Sequence, residues 1–300
     1  MRLCSLLLLA AAWPCAVSAQ TTPAELRDTV AKNMLFSLVI EQPAQHTVTV
    51  VGTIDAKMGG MFKQALAAYP QIDTVRIDSY GGNIEVAMDM AGLIRQRKMR
   101  MVVDGRCLSA CANYLFPAAA KKTVLPGSVV AIHGLSLSYL EGTVSKQVSK
   151  SQAQDLFRTS AHSRDKETFD RLMAREARFY RELKLGLGHQ ETFARYLAHR
   201  RQVLGTDVIE AKQRAPGCPP YQMWALDKAQ WEAAGVSGIE QFWYPATTEQ
   251  REQLLRDLGM PAEFFYYGGA AGLESLCTQA LPLRLRLARW LASVKSAFAP

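Results

Sequence analysis

The sequence predicts an α/β fold in which parallel strands alternate with helices. Between residues 46 and 134, apolar β-branched runs alternate with segments of helical spacing. The short connections between these segments favour parallel strands joined by helical crossovers. The composition agrees, because 49% of the 300 residues are hydrophobic, which is enough for a large core and is not typical of a disordered chain.

Each element of this region is assigned by its spacing. Runs rich in Val, Ile and Thr predict strands, whereas apolar residues three or four positions apart predict helices. The predicted strands are 46–53, 74–78, 99–103, 122–125 and 129–133, and the predicted helical segments are 57–69, 84–98 and 108–119.

The flanking regions complete the predicted domain organisation. Residues 20–45 are assigned to a leader segment with one short helix, and residues 46–245 to the α/β domain. Within that domain, residues 137–215 are polar and predicted to be mostly helical, with a long amphipathic helix around 169–183. Residues 246–300 are predicted to form a helical C-terminal extension.

The first 19 residues are typical of a signal peptide. Arg2 precedes an apolar run, and small residues occupy the last and third-last positions before a cleavage site after Ala19. The apolar run is shorter than the roughly 20 residues that span a bilayer. The sequence therefore predicts an exported protein, periplasmic or secreted.

Charge and motifs exclude several classes of function. The 35 Lys and Arg residues outnumber the 27 Asp and Glu residues, but they are spread along the chain without interleaved aromatic residues, so nucleic-acid binding is not expected. The chain has no phosphate-binding loop. His189 and His199 are too far apart for one helical turn and have no evident third ligand, so no metal and no cofactor is predicted.

Three short segments carry the residues that point to chemistry. Gly81-Gly82 follows the second strand, Ser109 lies at a strand-to-helix turn, and His133 ends the last strand. Ligands of parallel sheets bind beyond the carboxyl ends of the strands, so we expect these residues to lie at one edge.

These residue types suit acyl transfer. Ser109 is the predicted nucleophile and His133 the base that takes its proton. The backbone N–H groups of Gly82 and Ala110 are the predicted donors to the oxyanion. The alternative readings are that Ser109 caps a helix, that His133 is a hydrogen-bonded strand-end residue, and that the glycines form only a tight turn.

The same segments resemble a known family. The run DSYGG…GRCLSACANYLFPAAAKKTVLPGSVVAIHG is similar to the proteolytic subunit of the Clp protease and its relatives in the crotonase superfamily. Residues 225–239 resemble the late helix of that family, and the likeness extends over about residues 46–240. It implies a crotonase-like (ClpP-like) spiral of β-β-α units, a serine peptidase site and a homo-oligomer. The predicted signal peptide implies an exported branch.

The chain also departs from the family pattern. Tyr80 stands where the family usually has Pro, and Ala110 follows the nucleophile in place of Met. Alignment places Ala198 or His199 where the family has the third, acidic member of its triad. The orienting acid is therefore not assigned, and Asp165, Asp170 and Asp207 lie elsewhere. Some exported relatives use a Ser–Lys pair, for which Lys146, Lys150 or Lys166 would have to be buried.

Four cysteines follow the predicted signal peptide. Cys107 and Cys111 bracket Ser109 at a spacing that permits a disulfide on a helix, and Cys218 and Cys277 would then form the second pair. The alternative for Cys107 and Cys111 is that both are buried free thiols. The pairing is also open, since four cysteines allow three different pairings.

The sequence thus predicts an exported serine peptidase that needs no cofactor and cleaves peptide or unfolded protein substrates. The first alternative is a catalytically inactive ClpP-like module that binds peptides or proteins. A coenzyme A enzyme is the second alternative, which export disfavours. The amphipathic stretch 281–298 predicts either packing on this or another subunit or peripheral contact with an anionic membrane.

Overall fold

The computed structural model describes residues 37–133, 136–141, 144–149, 163–204 and 215–277. The predicted signal peptide and the amphipathic stretch 281–298 lie outside these residues. The predicted α/β class is confirmed, since a nine-stranded mixed sheet is flanked by helices. None of the helices within the described segments has the length and apolar character needed to cross a membrane.

Eleven strands lie in the described segments, nine of them in the main sheet and two in a separate hairpin. They are β1 (Ser37–Gln42), β2 (Thr47–Ile54), β3 (Thr74–Gly82), β4 (Arg100–Leu108), β5 (Lys121–Val124), β6 (Val129–Ile132), β7 (Ser136–Glu141), β8 (Val144–Ser149), β9 (Met223–Ala225), β10 (Ile239–Phe242) and β11 (Phe265–Tyr266).

The helices of the same segments range from a single turn to 21 residues. They are α1 (Ala56–Ala68), α2 (Ile84–Gln96), α3 (Phe116–Ala118), α4 (Ser163–Leu183), α5 (Gly188–Leu204), α6 (Lys228–Ala233), α7 (Thr248–Asp257) and α8 (Ala270–Ser275). A π-helical turn, Cys111–Leu115, leads directly into α3.

The central strands are parallel, as the alternation of strands and helices predicts. β2, β3 and β4 pair in parallel, and β4 continues in parallel to β5 along its first half and to β6 along its second half. β1 and β9 add antiparallel pairs at the two sides of this parallel core. The strand ends that carry Gly82, Ser109 and His133 therefore meet in the middle of the sheet.

The two faces of the sheet are covered by different parts of the chain. Along β6, Val130 and Ile132 join the core that α1 and α2 cover, while Val129 and Ala131 face the second core. This alternation follows from the two-residue period of a strand. The second core includes Leu254 and Leu255 of α7 and Phe265 of β11, so both faces are shielded from water.

Local signals explain where the first helices begin. Asp55 caps α1 by accepting a hydrogen bond from the Met58 N–H at 2.7 Å. Asn83 caps α2 by accepting one from the Val86 N–H, and its own N–H donates to the Ile54 carbonyl of β2. Because Asn83 follows Gly82 directly, this cap ties the glycine turn to the neighbouring strand.

Three segments differ from their predicted structure. Residues 37–42, assigned to a leader with a short helix, form β1, and residues 136–149, assigned to a mostly helical region, form the β7–β8 hairpin. The C-terminal extension contributes two helices and also the strand β11, which pairs with β9. β11 depends on a partner 42 residues away in the chain, and the hairpin strands β7 and β8 are largely polar, so composition alone does not reveal these strands.

A buried lysine gives one testable property of the fold. Lys122 is 1% exposed, and its Nζ donates to the carbonyls of Ala119 and Ser237 at 2.5 and 2.7 Å. Burial lowers the pKa of Lys122 to about 8 from its ordinary 10.5. Between these two values the unfolded chain binds more protons than the folded chain, so the free energy of unfolding should increase as the pH rises.

We expect urea unfolding between pH 8 and 9.5 to show this increase, with a slope of up to about 1.4 kcal/mol per pH unit. Lys122→Met should remove that slope, whereas Lys121→Met, which changes an exposed neighbour, should retain it. Higher pH is avoided because burial raises the pKa of Tyr114 and Tyr180, which opposes the trend. Equal slopes for wild type and Lys122→Met would contradict this assignment.

Candidate active site

The hydroxyl of Ser109 and the imidazole of His133 are in direct contact. Ser109 Oγ and His133 Nε2 lie 2.5 Å apart, although the residues are 24 positions apart in the chain. β4 and β6 bring them together, since Leu108 is paired with Ala131 and the Ser109 N–H donates to the Ala131 carbonyl at 3.0 Å. This is the distance over which a histidine can take the proton of a serine.

The backbone of Ser109 adopts an unusual conformation. Its φ is +54°, a left-handed value that costs a non-glycine residue about 1–2 kcal/mol. The Ser109 carbonyl accepts a hydrogen bond from the Asn113 N–H at 2.8 Å, which begins the helical segment that follows. A sharp strand-to-helix turn of this kind exposes the hydroxyl of a nucleophile.

The helical segment after Ser109 presents backbone donors to the site. The Ala110 N–H donates to no acceptor within the described segments. It lies at the start of the π-helical turn and α3, where backbone N–H groups carry partial positive charge. Tyr114 belongs to the same segment and anchors it to α4, because its hydroxyl donates to the buried Glu176 carboxylate at 2.7 Å. Ala110 is thus suited to the predicted role of oxyanion donor.

The two glycines of the turn occupy different positions. A Cβ added to Gly81 would lie 2.7 Å from both the Ala110 nitrogen and the Ser109 Cβ, so Gly81 lies directly against the turn that carries Ser109. A Cβ added to Gly82 would lie 2.2 Å from the Ile54 carbonyl oxygen. The Gly81 N–H donates to Ser79 Oγ, which leaves Gly82 as the predicted second oxyanion donor.

Both predicted disulfides are present. Cys107 is bonded to Cys111, and Cys218 is bonded to Cys277. The first bridge encloses Ser109 and joins the end of β4 to the π-helical turn. The second joins residues 59 positions apart and fastens the segment after α8 to the region before β9.

A buried ion pair includes Arg106, three residues before Ser109. Asp78 and Arg106 are 6% and 4% exposed, and two guanidinium N–H groups donate to the two carboxylate oxygens at 2.7 and 2.9 Å. Arg106 also donates to the hydroxyl of Tyr80, whose ring centre lies 4.3 Å from the guanidinium carbon. Burial lowers the pKa of Arg106, but the hydrogen bonds and charge of Asp78 outweigh this effect and raise it overall.

The positions considered for a third catalytic group have mixed outcomes. Ala198 and His199 lie on α5, and neither supplies a carboxylate. Asp170 is exposed and paired with Lys166, whose side chain is 53% exposed, so Lys166 does not meet the burial that a Ser–Lys pair requires. Asp207 and Lys150 lie outside the described residues, as do the side chains of Asp165 and Lys146.

A cavity lies on the helical side of the site. It is partly open to solvent, and its lining includes Asn113, one helical turn after Ser109, and Ile132, directly before His133. In the described part of the chain, Asn113 Oδ1 and Trp231 Nε1 are buried without a hydrogen-bond partner. Burial also lowers the pKa of His189 on the same wall, although Asp227 opposes the shift.

Two features of the site were not predicted from the sequence. They are the ion pair of Asp78 with Arg106 and the contact of Gly81 with Ser109. Asp78 and Arg106 carry opposite charges on two neighbouring strands. Arg76 and Asp104 do the same on the same two strands and are more exposed, so the sequence does not single out the buried pair. The contact of Gly81 depends on the relative register of β3 and β4, which the sequence pattern does not contain.

Within the described segments, no group of three or more His, Cys, Asp or Glu side chains is arranged to hold a metal ion. The chain was also compared with known proteins. No protein-family model matches it, and no curated protein matches it. The assignment of function therefore depends on the chemistry of the site.

Proposed function

We propose that this chain is an exported serine peptidase. The observation that carries the proposal is the 2.5 Å contact between Ser109 Oγ and His133 Nε2 beside the unbonded N–H of Ala110. A hydroxyl in contact with a base, next to backbone donors, is the arrangement that acyl transfer requires.

The proposed reaction has two steps. His133 Nε2 accepts the hydroxyl proton while Ser109 Oγ attacks the peptide carbonyl, and the N–H groups of Gly82 and Ala110 donate to the oxyanion. The imidazolium then protonates the leaving amine, which yields an acyl-enzyme. Water, deprotonated by the same imidazole, releases the acid product and restores the serine. Each oxyanion donor contributes about 3 kcal/mol to such a reaction.

The same proposal includes the family, the substrate and the cellular compartment of the protein. The parallel strands, the glycine turn and the Ser–His pair support membership of the Clp protease and crotonase superfamily, with its spiral of β-β-α units and its homo-oligomers. The substrate is proposed to be a peptide or unfolded protein that binds as an added strand. Two disulfides support export, because they persist in oxidising compartments.

Active-site labelling tests the proposal. The purified protein should react with a fluorophosphonate probe, and peptide mapping should place the probe on Ser109. Ser109→Ala should abolish labelling and peptide hydrolysis, and His133→Gln should reduce both by at least about 1,000-fold. Ser237→Ala, which changes an exposed serine, is the matched control and should retain both.

A peptide-binding module without catalysis is the second candidate, favoured by the lack of a carboxylate at Ala198 and His199. It predicts no labelling of the wild type, together with peptide binding that Ser109→Ala leaves intact. Labelling of another residue, or hydrolysis that survives in Ser109→Ala, would remove Ser109 from the mechanism.

A further inference from the structure

The strand that delivers Ser109 contains an irregularity directly before it. Ile77 of β3 is paired with Val103 of β4, but Ser79 is paired with Cys107. One residue of β3, Asp78, therefore faces three residues of β4, which span 104–106. The two additional residues form a bulge that advances β4 by about 6.6 Å relative to β3, at about 3.3 Å per residue.

The bulge is also the point at which β4 changes its partner. Before it, β4 pairs with β5 up to the contact of Val103 with Val124. From the last residue of the bulge onward, β4 pairs with β6, beginning with Arg106 and Val129. The β4–β6 register places Ser109 beside His133, and the β3–β4 register places it beside Gly81, so both contacts of the nucleophile depend on the bulge.

The side chains of Asp78 and Ser128 hold the bulge in place. Asp78 Oδ1 accepts the backbone N–H of Arg106 at 2.9 Å, in addition to the paired bonds from its guanidinium. Ser128 Oγ accepts the Gly105 N–H at 2.9 Å. Gly105 has a φ of +117°, and an added Cβ would lie 2.6 Å from the Asp78 carboxyl carbon, so the backbone closes tightly over the carboxylate.

We propose that the Asp78–Arg106 pair is the positioning element of the active site, because it holds the β4 bulge and thereby sets the register that brings Ser109 to His133 and Gly81. Neither residue acts on the substrate. The inference rests on the proposed function for its kinetic consequence, but its structural consequence can be observed independently.

A matched pair of substitutions tests this role. Arg106→Lys keeps the positive charge but loses the paired hydrogen bonds to Asp78. Arg95→Lys makes the same change in an exposed ion pair outside the bulge, with Glu182, where the Arg95 side chain is 45% exposed. We expect Arg106→Lys to lower the maximal rate of fluorophosphonate labelling at least about 30-fold, because a displacement of about 1 Å can cost 100-fold. Its probe affinity should change less than threefold, and Arg95→Lys should behave as the wild type.

The crystal structure of Arg106→Lys provides the second readout. We expect the Ser109 Oγ to His133 Nε2 distance to exceed about 3.5 Å, the limit of a hydrogen bond, with altered pairing of Ser79 and Cys107. If Arg106→Lys does not fold, Asp78→Asn replaces it, since that variant keeps a side-chain oxygen for the Arg106 backbone N–H but loses the charge and the second oxygen that accepts from the guanidinium. It should produce the same two changes.

The outcomes separate this inference from the proposed function. Wild-type labelling rate and unchanged register in a folded Arg106→Lys or Asp78→Asn variant would overturn the positioning role. If the wild type is not labelled, the peptidase assignment fails, and the crystallographic distance and pairing alone decide whether Asp78 and Arg106 set the register.

Discussion

Gly81→Ala is expected to inactivate the site by direct collision. The added methyl group would lie 2.5 Å from the Leu108 carbonyl oxygen and 2.7 Å from the Ser109 Cβ, at a backbone φ of +86°. Leu108 and Ser109 belong to the turn that aims the nucleophile, so the turn must move away from His133. We expect the rate of fluorophosphonate labelling and of peptide hydrolysis to fall at least about 100-fold.

Gly259→Ala is the control for this prediction. Gly259 has a similar φ of +67°, but nothing lies within 4 Å of an added Cβ. Both variants carry the backbone strain of an alanine at positive φ, which costs about 1 kcal/mol. Only Gly81→Ala adds the collision, so equal labelling of the two variants would show that the turn does not depend on the close approach of Gly81.

Removal of one disulfide is expected to affect stability more, and removal of the other is expected to affect activity more. The chain-entropy model assigns about 2 kcal/mol to the short loop closed by Cys107 and Cys111, and about 4 kcal/mol to the long loop closed by Cys218 and Cys277. Removal of the long-range bridge should therefore lower the free energy of unfolding more. Removal of the short bridge should lower activity more, because it frees the left-handed Ser109 to relax toward negative φ.

Two double variants, Cys107→Ala with Cys111→Ala and Cys218→Ala with Cys277→Ala, check this dissociation. We expect the first to reduce labelling by about 10–100-fold under conditions where it remains folded. The second should label within about threefold of the wild type and should unfold at lower denaturant concentration. The idea fails if the loss of labelling follows the loss of stability in both variants.

The sequence predicted the contact of Ser109 with His133 better than it predicted the edges of the fold. Both residues were chosen because each comes after a predicted parallel strand, and because the segments that carry them resemble those of the Clp protease family. Spacing and the predicted export made both disulfides candidates, but only the structure decided between them and the alternative pairings. The hairpin of β7 and β8 was assigned to a helical region, although Leu137 and Tyr139 alternate with Ser136 and Ser138 in the two-residue period of a strand.

The edge strands were missed for a physical reason. β1 is an edge strand that pairs only with β2, and β11 is two residues long and depends on β9. Such strands are stabilised by a partner and not by their own periodicity, so a local pattern does not identify them. The long-range Cys218–Cys277 bridge lies close to both β9 and β11 in the chain and helps to keep that partner in place.

The amino-acid sequence by itself determined the α/β class and the parallel pairing of β2, β3 and β4, because these depend on local periodicity, and it singled out Ser109 and His133 as candidates by their residue chemistry and a family resemblance. Only the tertiary structure decided the register. The β4 bulge, the pairing of Asp78 with Arg106 across 28 positions and the contact of Gly81 with Ser109 each arise from the fit of one strand against another. A shift of two residues leaves every local pattern unchanged while moving the nucleophile by about 6.6 Å.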